Sequence, residues 1–145
     1  MDGGSVSANS KDSIATNSYD SLLAEKLGAD DWGMKSYVMA FLKNGPNREQ
    51  DSMEVQRLQR AHLDNITRLA NEGKLVLAGP FLDPQSDLRG IYIFNVSDTI
   101  AAKALVESDP AIKAGRLSME MIPWYGSAAL LELNELHSKI SKEEI

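Results

Sequence analysis

The chain has 145 residues, 43% of them hydrophobic and 25% charged, with a net charge of −6 and no cysteine. That length and composition suit one soluble globular domain, and the acidic balance argues against a nucleic-acid or anionic-membrane partner, since either calls for a basic surface. Without cysteine there are no disulfides, thiolate nucleophiles, iron–sulfur ligands or cysteine-type zinc sites.

The two histidines, His62 and His137, have no partner at metal-binding spacing, so neither a metal nor another cofactor is expected. No apolar stretch approaches the roughly 18–20 residues that span a bilayer. The start lacks a basic segment followed by an apolar run, so no intact signal peptide is expected. Its Ser/Asn/Asp-rich character also suits the mature form of an exported protein, which leaves compartment open between that and a cytoplasmic default.

Residues 1–33 read as a flexible N-terminal extension with one short helix. Residues 1–18 offer Val6 and Ile14 among small and polar side chains, too little apolar surface to offset the entropy of ordering. Tyr19 to Leu27 carries Leu22, Leu23 and Leu27, enough for a short amphipathic helix ending at Gly28.

Residues 34–126 form the main domain. Met34 to Leu42 is rich in β-formers and predicts a strand, stopped by Asn44-Gly45-Pro46-Asn47. From about Asp51 to Asn71, Val55, Leu58, His62, Ile66 and Leu69 fall on one stripe at helical period, and Gly73 supplies the stop. Lys74 to Ala78 predicts a short strand running into a Gly79-Pro80-Phe81 turn. Arg89 to Val96 is the next strand. Ser97 or Asp98 then caps a helix through Ile100, Ala101, Ala104 and Leu105. Asp109-Pro110 ends it or starts a further turn, and Gly115 precedes a fourth strand, Arg116 to Trp124. Residues 127–145 read as a C-terminal helix capped by Ser127, with Leu130, Leu133, Leu136 and Ile140 on one stripe.

The doubled β-α-β pattern implies an α+β fold, a ferredoxin-like split βαββαβ with an antiparallel sheet and helices on one face. Tyr37, Met39, Phe41, Tyr92, Phe94, Met119 and Met121 are expected on the other, open face. An apolar open face is covered most simply by a second copy, so a homodimer is expected.

The order His62 through Gly73, Ala78-Gly79-Pro80, Arg89-Gly90, Asp109-Pro110, Gly115 and Ile122-Pro123-Trp124 resembles the YCII-related (YciI-like) family over about Met34 to Tyr125. Members are similar to muconolactone isomerases in using the dimeric α+β barrel. The resemblance implies a face-to-face dimer and a pocket between sheet and helices. It also implies a histidine–aspartate active pair, which falls on His62 and Asp109. The best-understood relative catalyses dehydrochlorination of a chlorinated hydroxyhydroquinone, a proton-transfer elimination.

Each residue also has a plainer role open to it. His62 on an apolar stripe suits a core histidine, although imidazole exchanges protons near neutrality and a carboxylate partner would fix its tautomer. Asp109 before Pro110 is a good N-cap, and its two oxygens allow capping and pairing together. Gly79 and Pro80 suit either a pocket wall or a strand-end turn, and Arg89 either a fork for a carboxylate or phenolate or a surface arginine. Ser36 and Tyr37 offer pocket hydroxyls but nothing lifts them above strand residues. Asp64 is expected in solvent, Trp124 and Tyr125 in the core, and His137 at the surface.

The leading functional expectation is a small cofactor-independent lyase or isomerase moving a proton on a small, aromatic or enolisable molecule. His62 and Asp109 would be catalytic, with Arg89, Gly79 and Pro80 contacting substrate. The alternative is a non-catalytic small-ligand-binding or assembly module of the same fold. A haem-binding relative using His62 as axial ligand ranks below both, because the chain is short for enclosing a porphyrin.

Overall fold

Aspartates start four of the helices. In the computed structural model, which describes residues 18–145, Asp20 accepts from Leu23 N at the head of α1 (Ser21–Leu27), and Asp51 accepts from Glu54 N ahead of α2 (Ser52–Asn71). Asp98, rather than Ser97, accepts from Ala101 N and opens α3 (Thr99–Val106). Asp109 accepts from Ala111 N and opens the single turn α4 (Pro110–Lys113), with Pro110 in the first turn. Each such bond satisfies a backbone donor that the helix itself leaves unpaired, an effect of about 1 kcal/mol. Gly28 and Gly73 follow α1 and α2 in the left-handed conformation. The expected tail falls mostly on residues 1–17, which lie outside the described residues.

Four strands, β1 (Met34–Asn44), β2 (Leu75–Pro80), β3 (Leu88–Phe94) and β4 (Leu117–Ser127), form one sheet in the order β2-β3-β1-β4. All three pairings are antiparallel. This is the ferredoxin-like α+β arrangement that the doubled pattern predicts. Strand β2 continues through Gly79 and Pro80, where the sequence predicts a turn. As an edge strand it tolerates a proline that donates no ladder hydrogen bond.

Register corrects the expected composition of the two faces. Met39 pairs with Ile93 and Ile122, Phe41 with Ile91 and Glu120, and Tyr37 with Trp124. Residues directly opposite share a face, so Ile91, Ile93, Ile122 and Trp124 lie with Tyr37, Met39 and Phe41. Tyr92, Phe94, Met119 and Met121, expected on the open face, instead join Val38, Ala40, Leu69, Ala102 and Val106 in the core beneath the helices. Strand β3 is apolar at both parities, so period two alone fits either assignment.

The C-terminal segment covers part of the other face. Ser127 accepts from Ala129 N, but it caps a 3-10 turn, Ala128–Glu132, and α5 (Leu133–Ile140) follows without a side-chain cap. The 3-10 turn rotates the chain further per residue than an α-helix, breaking the expected stripe. Leu130 and Leu131 pack on Tyr37, Val76 and Ile93, whereas Leu133, Leu136 and Ile140 are exposed. Trp124 and Tyr125, expected in the core, are exposed as well. Trp124 leans on Tyr37 at a ring separation of 5.8 Å, and the Tyr125 hydroxyl donates to the Asp30 carboxylate.

After β1 the chain stays against β4: Gly45 N donates to Arg116 O at 2.7 Å and Asn47 N to Gly115 O at 2.9 Å. A Cβ at Gly45 would overlap the Gly115 carbonyl, while one at Gly79 would meet nothing. Gly45→Ala should therefore lower stability in denaturant titration by about 1–3 kcal/mol, the range for overpacking. Gly79→Ala should stay within ~0.5 kcal/mol of the parent chain.

Candidate active site

Helix α2 turns Leu58, His62, Asn65 and Leu69 toward the sheet, all four buried. His62 Nδ1 lies 2.5 Å from Asp109 Oδ2, across 47 residues of sequence. The other carboxylate oxygen, Oδ1, accepts from Ala111 N at 2.8 Å. One side chain thus caps α4 and fixes the imidazole at once. Both partners are withdrawn from water, His62 at 6% exposure and Asp109 at 1%. At that depth the carboxylate is tolerable only because both of its oxygens are satisfied.

With Nδ1 donating to Asp109, a neutral imidazole presents Nε2 as an acceptor. The Tyr92 hydroxyl faces it at 3.4 Å, long for a hydrogen bond, and the two rings stack with their planes 20° apart. Burial first, and the Asp109 charge second, push the Tyr92 phenol well above the ordinary tyrosine range. The three side chains form a buried Asp–His–Tyr line from the α3–α4 turn to the middle of β3.

A second, weaker polar contact lies beside the first. Asn65 Oδ1 accepts from Arg68 at 2.7 Å, and Ser108 Oγ, whose one proton goes to Leu105 O at 2.6 Å, comes within 3.3 Å of the same oxygen. Asn65 lies three residues after His62 and Ser108 immediately before Asp109, so this contact sets the helix against the turn that carries the carboxylate. A spacing of three from His62, which puts both side chains on one helical face, is the sequence signal for Asn65. Tyr92 had no such signal, since its side of the sheet depends on register.

The structure does not gather the other expected site residues around His62. Arg89 donates to the carbonyls of Ser86 and Asp83, fastening the β2–β3 connection. Gly79 and Pro80 pair with Ile91 and Gly90. The close backbone approach falls at Gly90, where a Cβ would come within 2.8 Å of Gly79 O. Asp64 pairs with Arg60 on the exposed side of α2, and His137 is exposed on α5. A hollow of about 540 Å³ lies elsewhere, lined by Asp30, Met34, Lys35, Ser36, Asn95, Ser97 and their neighbours, and touches neither His62 nor Asp109. Among the described residues no cluster of side chains has a metal-holding arrangement, and no helix is long and apolar enough to cross a membrane.

The YCII-related domain family matches residues 37–125, and the chain belongs to that family. Among solved structures it is similar to 5-chloro-2-hydroxyhydroquinone dehydrochlorinase from Burkholderia phenoliruptrix, in complex with 2,5-dihydroxybenzoquinone. That likeness has 24% identity and a TM-score of 0.45, and covers 61% of this chain and 92% of the other. No curated protein sequence matches the chain.

The raised Tyr92 phenol has a signed consequence. A folded-state pKa above the unfolded value near 10 contributes stability that is present below that value and lost as pH climbs through the folded one. Denaturant midpoints taken from neutral pH to above pH ~10 should fall more steeply for the parent chain than for Tyr92→Phe.

Proposed function

We propose that this YCII-related protein is a cofactor-independent enzyme of lyase or isomerase type. It acts by proton transfer on a small aromatic or enolisable molecule. The observation that carries the reading is the buried 2.5 Å contact between His62 Nδ1 and an Asp109 carboxylate whose other oxygen is held by a helix cap. A carboxylate so anchored cannot follow a moving imidazole, so it sets the ring's orientation and its tautomer.

The roles divide by atom. Asp109 Oδ2 keeps the proton on Nδ1 and stabilises the imidazolium that forms when His62 accepts a second one. Nε2 takes the substrate proton and returns it, and the substrate reaches that atom by displacing the long Tyr92 contact. The substrate lies against Nε2 on the helix-facing side of the sheet, the side of Pro80, which pairs with Gly90, whereas Gly79 and Arg89 fall at the parity of Ile91 on the open face.

The depth of the pair favours a second reading. A buried His–Asp pair also serves as a fixed polar centre joining α2 to the α3–α4 turn, in a protein that binds or assembles without catalysis. Turnover separates the two. Asp109→Asn keeps a cap at Ala111 only by turning its amide nitrogen toward His62, which moves the ring proton to Nε2. On an enolisable or chlorinated phenolic substrate, His62→Ala should abolish turnover. Asp109→Asn should cost about 10²–10⁴-fold, with the inverted tautomer visible in imidazole nitrogen NMR. Full activity in His62→Ala sinks the catalytic reading.

The same proposal includes a homodimer. Leu130 and Leu131 leave the β1–β4 side of the open face uncovered, with Met39, Phe41, Ile91, Ile122 and Trp124 partly or largely in solvent. A second copy is self-complementary to such a patch. Light scattering at micromolar concentration should give twice the chain mass, and Ile122→Asp should return it to one.

A further inference from the structure

We infer that the hollow between the start of β1 and the end of β3 is a second ligand site, for a small organic carboxylate seated on Lys35. Its volume, about 540 Å³, falls in the range of small-molecule pockets. The site is separate from the His62–Asp109 pair, and nothing in the reading of that pair requires it.

Lys35 supplies a cation in a fixed place. Its ammonium donates to Asn95 Oδ1 and stands over the Tyr37 ring, 5.0 Å from the centroid. The Tyr37 hydroxyl is itself committed to Ser127 O at 2.7 Å. A lysine held by an amide and an aromatic face has already lost much of its side-chain freedom, a cost that binding an anion would otherwise carry. Partial burial also pulls the Lys35 amine below its ordinary range, so an incoming carboxylate relieves a charge that the fold partly desolvates.

The hydroxyls around it are available for a reason visible in the helix starts. Because Asp98 caps α3, Ser97 is not spent on the helix, and it lines the hollow together with Ser36. Asp30, at the rim, has its carboxylate occupied by Trp32 N, Met34 N and the Tyr125 hydroxyl. Those bonds, led by the one from Tyr125, hold Asp30 below the ordinary carboxylate range. Met34, Val96 and the Tyr125 ring complete the lining with apolar surface. The Lys35 ammonium with the Ser97 hydroxyl suits a single carboxylate, and the apolar remainder suits a ring or short chain attached to it.

Benzoate is the probe, added to the full chain at physiological salt and followed by amide NMR, with benzamide as the neutral isostere. Saturable shifts centred on Lys35, Ser36, Val96 and Ser97 are expected with benzoate and absent with benzamide. Bound benzoate should raise the titration midpoint of the Lys35 amine. Lys35→Met should weaken binding by about tenfold, the scale of one lost charge-assisted contact. Because Lys35 also holds Asn95, Ser97→Ala provides an independent variant, expected to weaken binding with the fold unchanged. Equal shifts with benzamide, equal shifts with inorganic phosphate, shifts centred on His62, or unchanged affinity in both variants would each overturn the assignment.

Discussion

The hydrogen bond between His62 and Asp109 ties the middle of α2 to the first turn of α4 through one buried carboxylate. A carboxylate at 1% exposure is tolerable only when both oxygens are satisfied, and each oxygen here answers to a different element. Oδ1 needs the first turn of α4, and Oδ2 needs the middle of α2. Neither element can shift without stranding the charge. The contact therefore fixes α2 against the α3–α4 turn within the helical layer, at the point where Tyr92 rises from β3 to meet the imidazole.

The neighbours of this bond can be understood from the same requirement. Asn65 and Ser108 stand beside the two partners and in contact with each other, a second and weaker approach of the helix to the turn. Tyr92 closes the remaining imidazole nitrogen and fills the space beneath it, with Phe94 edge-on to its ring at 5.6 Å. Polar groups at such depth are either fully connected or destabilising, and this set is connected from the Ala111 amide to the tyrosine hydroxyl.

Much of this was legible in the chain before any geometry. The order of elements follows from two helical stripes and from glycines that end them. His62 on the inward face follows from its spacing to Leu58 and Leu69. The double use of Asp109 follows from Asp-Pro capping chemistry and a two-oxygen side chain. The faces of β3 were not legible: Gly90-Ile91-Tyr92-Ile93-Phe94 is apolar at both parities, and only pairing with β1 decides which half meets the helices. The C-terminal stripe failed for a different reason. A 3-10 turn and an α-helix share the same leucine-rich composition, and their different rotation per residue sends Leu130 and Leu131 inward and Leu136 outward. Trp124 and Tyr125 were misplaced because large aromatics at the end of a strand are as readily supported by one neighbour, Tyr37 or Asp30, as by a core.

Access is what joins the site to its chemistry. Nδ1 is closed by a carboxylate that burial and capping hold in place, so in the proposed chemistry exchange with a substrate falls to Nε2. That nitrogen is closed by a contact of 3.4 Å, weaker than the one opposite it. The asymmetry between the two nitrogens sets a direction: the strong bond orients and the weak one yields. A tyrosine whose phenol is held neutral by burial can donate to Nε2 in the resting state without competing for its proton. The same burial that makes the pair a good structural tie leaves Nε2 held only by a long contact, and that is the atom through which the proposed proton transfer runs.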